Sequence, residues 1–167
     1  IHSGRYPSMI TGKPVGMGGS LGRKEATGYG VVYVLKNLLR EMNIAVESTM
    51  ASIQGFGNVA EYAARMYTKL GGKIIAVSCW NQADAKAYTF KKKSGCDIEQ
   101  LAGIKDSFGG IDKEKAIKLG YEVLPGEEWI KQEVDILIPA ALENQITPTV
   151  FPGISSKVKI ICEAANG

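Results

Sequence analysis

The residues of this chain best suited to chemistry form one short run, Gly55-x-Gly57-x-x-Ala60. Glycines at this spacing make a turn that backbone amides line and a diphosphate can enter. The first glycine permits the tight bend. The second lets a phosphate approach the backbone, and the small third residue lets a helix pack against a strand. A helix starting here adds its unpaired N–H groups and the positive end of its dipole. The run follows a candidate strand and opens a candidate helix, the context that such a site requires. The other reading of the same residues is a plain tight strand-to-helix turn.

A second glycine-rich stretch, Gly16-Met17-Gly18-Gly19-Ser20-Leu21-Gly22, also precedes a helix, but Lys13-Pro14 and not a strand stands before it. It reads as a loop or hinge near a ligand. Neither stretch holds Gly-Lys-Ser/Thr, so a P-loop is not supported. Dinucleotide sites place an acid about 20 residues after the glycine turn, where it holds the adenosine ribose hydroxyls. Here the candidate second strand ends at Ser78, Cys79 follows, and the nearest acid is Asp84. A neutral residue removes the charge that would repel a 2′-phosphate, so NAD and NADP both stay open. Cys79 also reads simply as a small buried strand-end residue.

Arg23 and Thr27 stand at i and i+4 and share one face of a helical turn. They could reach a ligand at the sheet edge, or lie on the surface. Asn144 and Asn166 accompany apolar stretches at the carboxyl side of strands, where open α/β sheets hold ligands. Asn is also an ordinary loop and cap residue. No Lys, Asp or His stands in a setting that argues for general acid–base work, and a cofactor site with no substrate aligned against it transfers nothing.

These positions need elements to hold them. Val31, Val34, Leu35, Leu38, Leu39 and Met42 fall on one helical face, with Asn43 as its stop. Gly28 and Gly30 in its first turns suggest either close backbone approach by another group or merely a tightly packed helix. Ser48–Gln54 is a strand candidate. The helix after the turn carries Val59, Ala63, Met66, Tyr67 and Leu70 on one face and ends at Gly71-Gly72. Lys73–Ser78, Val134–Ile138 and Val158–Ile161 read as buried parallel strands. Helical stretches lie between the later strands, around 98–104, 113–119 and 127–132. The alternation predicts an α/β fold: a Rossmann-like, doubly wound, mostly parallel sheet with helices on both faces. Residues 1–22 form a lead-in loop or hinge segment, and residues 23–167 form the domain.

Composition narrows the function. With 45% hydrophobic and 22% charged residues in 167, the chain suits one soluble globular domain. A net charge of +3, with its basic residues scattered, argues against nucleic acid; Lys91-Lys92-Lys93 reads as a solvated loop. No apolar run approaches a membrane span. Three widely spaced cysteines (Cys79, Cys96, Cys162) and a single His2 support neither a disulfide framework nor a metal site, and a reducing, cytoplasmic setting follows. A chain that starts at Ile1 and stops after a buried strand is expected to be a piece of a longer protein.

Four blocks then become recognisable. They are Lys13-Pro14-x-x-x-Gly18-Gly19-Ser20-x-Gly22-Arg23-x-Glu25-Ala26-Thr27-Gly28-x-Gly30-Val31, Gln54-Gly55-Phe56-Gly57-Asn58-Val59-Ala60, Pro139-Ala140-Ala141-Leu142-Glu143-Asn144 and Cys162-Glu163-Ala164-Ala165-Asn166-Gly167. In this order the chain resembles the cofactor domain of the Glu/Leu/Phe/Val dehydrogenase family, with the first and third blocks most like its glutamate branch. The resemblance implies oxidative deamination of L-glutamate to 2-oxoglutarate and ammonium, with hydride transfer to NAD or NADP. It implies that Arg23 and Thr27 hold the nicotinamide carboxamide. Gly55, Phe56, Gly57, Asn58 and Val59 hold the pyrophosphate and adjoining ribose. Ser78, Cys79 and Trp80 border the adenosine ribose; Ala140, Ala141 and Asn144 flank the cofactor; Asn166 lies near the nicotinamide end. The catalytic Lys and Asp belong to a substrate domain outside these residues, so the piece alone is expected to be inactive. The full-length enzyme is expected to be a homohexamer, the piece a monomer or weak dimer. The alternatives are a dehydrogenase for Leu, Val or Phe, and a stand-alone nucleotide-binding regulatory module.

Overall fold

A computed structural model of the chain describes residues 12–166; the expectations placed on residues 1–11, His2 among them, lie outside this range. Six strands form one sheet: β1 (Met50–Gln54), β2 (Lys73–Asn81), β3 (Lys86–Lys91), β4 (Glu122–Pro125), β5 (Ile136–Pro139) and β6 (Ile160–Ile161). Among the described residues four α-helices accompany them: α1 (Arg23–Glu41), α2 (Asn58–Lys69), α3 (Ile98–Ala102) and α4 (Lys113–Lys118). Strand order is β4-β3-β2-β1-β5-β6. β2, β1, β5 and β6 are mutually parallel, while at one edge β3 runs antiparallel to β2 and β4 antiparallel to β3. The chain leaves β1 toward β2 on one side and later returns to β5 on the other, which makes β1 the point where winding reverses. None of the helices among the described residues is long and apolar enough to cross a membrane.

Both faces of the sheet are covered, as its apolar central strands demand. The larger cluster joins the sheet to α1–α4 through Val32, Leu35, Ile53, Tyr67, Val77, Leu101 and Ala116. The smaller lies on the opposite face, where Trp129 and Ile130 of a 3-10 helix (Gly126–Lys131) pack on Ile75 and Leu137. Several polar groups inside are paired, while Gln54 Oε1 and Gln100 Oε1 are buried without a partner among the described residues. Ser52 Oγ donates to the Trp129 carbonyl at 2.7 Å, and Thr49 shares a 2.6 Å hydrogen bond with the Tyr67 hydroxyl.

The first helix ends where its sequence indicates. Asn43 takes a left-handed φ of 56°. The Asn43 amide then donates to the Arg40 carbonyl and the Ile44 amide to the Leu39 carbonyl, which satisfies the last helical acceptors. Its buried face differs from the expected one. Gly28, Val32, Leu35 and Leu39 are buried, whereas Val34, Leu38 and Met42 stand 64%, 39% and 41% exposed. Gly28 is the reason for this rotation. A Cβ there would lie 2.7 Å from the Ala63 nitrogen and the Val59 carbonyl oxygen, so α2 seats directly on the Gly28 line. Gly30 faces open space.

Two further expectations need correction. β2 does not end at Ser78. It runs on to Asn81 because a turn returns the chain as β3, with Cys79 paired to Tyr88. The lysine cluster is also no solvated loop: Lys91 closes β3, and Lys92 lies 4.7 Å over the Tyr121 ring and donates to the Leu119 carbonyl.

Candidate functional site

Register brings several chain segments to one rim. Gln54 of β1 pairs with Ser78 of β2 and with Pro139 of β5, and the Ala164 amide donates to the Pro139 carbonyl at 2.8 Å. The residues that follow β1, β5 and β6, together with the last residues of β2, therefore share the carboxyl edge of the sheet. Among them are Gly55–Asn58, Trp80, Ala140, Ala141, Asn144 and Asn166. In open α/β sheets this edge, at the point of reversal, is where ligands bind.

The glycine turn has the geometry its spacing anticipates. Gly55 has a φ of +98°, its amide donates to the Ser78 carbonyl, and a Cβ there would lie 2.6 Å from the Ala140 carbonyl oxygen. No side chain fits between these strands. Phe56 is buried and anchors the turn. Gly57 is exposed, and a Cβ on it would meet nothing within 4 Å. The first backbone bond of α2 runs from the Glu61 amide to the Gly57 carbonyl. The amides of Asn58, Val59 and Ala60 have no acceptor among the described residues, the normal condition of a helix start. Backbone donors, open space and a helix dipole thus converge at one point, a combination suited to an anion.

The start of α1 lies beside this turn. Asn58 Nδ2 donates to the Lys24 carbonyl at 2.5 Å, which joins the first turns of the two helices. Arg23 Nη1 reaches Thr27 Oγ1 at 3.4 Å, so the predicted pair shares a face as its spacing indicates. A cleft of about 570 Å³ opens here, lined by Pro14, Ser20, Gly22, Arg23, Lys24 and Asn58 among others. On the other side a cleft of about 500 Å³ runs beside the end of β2, lined by Asn81, Lys105, Asp106, Ile111 and Lys113 among others.

The strand-end trio separates. Ser78 is buried and its hydroxyl donates to the Gly126 carbonyl. Cys79 is buried, its sulfur accepts from the Ile111 amide at 3.4 Å, and burial pushes its thiol up to about 11. Only Trp80 of the three offers its side chain to solvent, at 52% exposure. Asn144 is exposed in a left-handed conformation (φ 58°), and Asn166 is exposed at the last described position. The sequence reading missed the segment from Lys105 to Asp112, which lies over the turn and walls the second cleft. Its signal was the Gly109-Gly110 pair between two helical stretches. Among the described residues no group of three or more His, Cys, Asp or Glu could hold a metal ion.

A doubly wound α/β sheet with an open glycine turn at its reversal point defines a Rossmann-like domain. Residues 18–167 match the model of the Glutamate/Leucine/Phenylalanine/Valine dehydrogenase family, and the chain belongs to that family. It is 38% identical over 158 residues to an NAD-specific glutamate dehydrogenase of Peptoniphilus asaccharolyticus, covering 95% of this chain and 36% of that protein. The corresponding protein of Clostridioides difficile is 38% identical over 159 residues, with 95% and 36% covered. The crystal structure of Plasmodium falciparum glutamate dehydrogenase superposes with a TM-score of 0.81 at 29% identity, over 93% of this chain and 33% of that one. The chain therefore spans about a third of the length of these relatives.

Proposed function

We propose that this chain is the dinucleotide-binding domain of an amino acid dehydrogenase of the glutamate branch. One observation carries the reading: Gly57 opens to solvent at the head of α2, while Gly55 presses its backbone against Ala140 at the reversal point. That is a cradle that a Cβ would fill, and it fits a pyrophosphate. The amides of Gly57, Asn58 and Val59 would hold the phosphates, with Phe56 fixing the turn from below. Arg23 and Thr27 would orient the nicotinamide carboxamide from the start of α1. Trp80, with the backbone of Ser78 and Cys79, would border the adenosine ribose. Ala140, Ala141 and Asn144 would flank the cofactor, and Asn166 would sit toward its nicotinamide end.

When bound, the nicotinamide ring of NAD or NADP supplies a hydride acceptor for the Cα of L-glutamate, on the way to 2-oxoglutarate and ammonium. The residues of this chain bind and orient; they supply no proton donor or acceptor at the reacting carbon. A separate substrate domain supplies the catalytic Lys and Asp. Residues 1–22 act as the lead-in or hinge toward it, and residues 23–167 as the cofactor domain. The whole enzyme works in the cytoplasm as a homohexamer.

The test is calorimetric titration of the 167-residue chain with NAD and NADP side by side, together with an assay for glutamate deamination. Saturable binding without turnover is the expected result. Turnover by this chain alone would overturn the division of labour, and failure to bind either dinucleotide would overturn the domain reading. Full-length protein assayed against glutamate, leucine, valine and phenylalanine decides the substrate.

A further inference from the structure

One group of charged side chains lies beneath the glycine turn, with a buried carboxylate at its centre and half-buried cations around it. Glu61, in the first turn of α2, is only 8% exposed. Its carboxylate accepts from Lys105 Nζ and from Arg65 Nε, the latter at 3.0 Å. Arg65 also pairs with Glu99 of α3. Burial pulls the Glu61 carboxyl upward, yet Lys105 and Arg65 outweigh it and hold the group below the usual carboxylate range. The Lys105 ammonium also sits 5.5 Å from the centre of the Phe56 ring, inside the turn.

Lys105 opens a loop that is tied at both ends. The loop closes on itself through a bridge between Lys105 and Ile111, and Asp106 Oδ1 accepts from the Phe108 and Gly110 amides at 2.8 Å each. Its far end hangs on β2 through the Ile111 amide and the Cys79 sulfur. Between the ties Gly109 (φ +89°) rests on the turn. A Cβ there would lie 2.9 Å from the Phe56 carbonyl oxygen and 3.1 Å from the Gly57 nitrogen. The same loop walls the cleft beside β2.

We propose that Glu61 and Lys105 are positioning residues for the adenosine half of the dinucleotide: their ion pair fixes loop 105–111 against the Gly55–Gly57 turn and so sets the wall of the adjoining cleft. This inference rests on the dinucleotide reading above. Neither side chain needs to touch the ligand. A well-packed apolar pair would hold the loop at least as stably, because burying two charges brings little net stability. An ion pair adds direction, since it holds the loop at one place over Phe56.

The experiment compares Lys105→Met, Lys105→Arg and Glu61→Gln with the wild-type chain, using NADH and ADP-ribose as probes in calorimetry. Lys105→Met should weaken both ligands by about tenfold, as for a site only a tenth of whose population keeps the loop in place. The loss should be equal for the two, because it concerns only the half they share. Lys105→Arg, which keeps the charge and the stacking on Phe56, should restore most of the affinity, a rescue that loss of folding would not give. Hydrogen exchange should rise in residues 105–111 of Lys105→Met while β1 and β2 stay protected. If Lys105→Met fails to fold, Glu61→Gln decides by the same ADP-ribose titration. Wild-type affinity for ADP-ribose in a folded variant lacking the pair overturns the proposal alone. A wild-type chain that binds neither probe overturns the dinucleotide reading and this proposal with it.

Discussion

Gly28 of α1 and Ala63 of α2 meet at a separation that leaves no room for a side chain. A Cβ on Gly28 would stand 2.7 Å from the Ala63 nitrogen and equally close to the Val59 carbonyl oxygen. Backbone thus packs on backbone where the two helices cross, and the starts of both helices come to one end of the sheet. Gly28→Ala should lower stability by about 1–3 kcal/mol, the usual effect of overpacking a tight contact. Gly30, two residues further along the helix and open to solvent, should behave oppositely. Gly30→Ala should stabilise by up to about 1 kcal/mol through helix propensity. Urea unfolding of the two variants checks both.

The two glycines of the turn have separable roles. Gly55→Ala places a methyl group 2.6 Å from the Ala140 carbonyl oxygen in a left-handed conformation, and should destabilise the fold itself. A Cβ on Gly57 meets nothing within 4 Å among the described residues, so the unfolding free energy of Gly57→Ala should stay within about 0.5 kcal/mol of wild type. Its dinucleotide affinity should nevertheless fall by about tenfold, because the methyl group enters space a phosphate would use. Calorimetry on the folded Gly57→Ala chain, with equal affinity as the adverse result, tests this.

Lysines and carboxylates line the cleft beside β2 in equal number. Lys105, Lys113 and Lys115 face Asp106, Asp112 and Glu114. Lys113 is further engaged by Asp84, and Lys115 by Asp112. With as many lysines as carboxylates lining the cleft, the chain should bind NAD and NADP within about tenfold of each other. Asn81→Asp adds one negative charge while keeping the acceptor that Asn81 Oδ1 presents to the Ala83 amide. Competition titration should show this variant turning toward NAD by about tenfold.

Acid should loosen the Glu61 clamp. The carboxyl is held below its ordinary value of 4.5 in the folded chain, so the unfolded chain takes up its proton first as pH falls. The stabilisation is fully present above about pH 4.5 and is lost as pH drops through the lower folded value. Glu61→Gln removes this titrating group, so its urea midpoint should fall less steeply with pH below that point. Parallel curves for variant and wild type would contradict the assignment.

Much of the fold was legible in local pattern. The spacing Gly55-x-Gly57-x-x-Ala60 locates the turn, because only glycine tolerates both the φ of Gly55 and the approach of Ala140. The apolar runs of β1, β2 and β5 mark strands buried on both faces. The edge hairpin was harder to see. Lys86-Ala87-Tyr88-Thr89-Phe90-Lys91 is too mixed in polarity to stand out, and it forms a strand because β2 and β4 supply its hydrogen bonds from either side.

The sequence by itself determined which segments are helix and strand along the central sheet, and where the glycine turn falls, because periodicity and backbone freedom are local properties. Only the tertiary structure decided which stripe of α1 is buried, since that depends on α2 seating at Gly28. It also decided that Ser78 and Cys79 turn inward while Trp80 stays open, and that Lys105 reaches Glu61 across 44 positions of chain. Burial and ion pairing join residues remote in sequence, and no local pattern encodes which remote partner arrives.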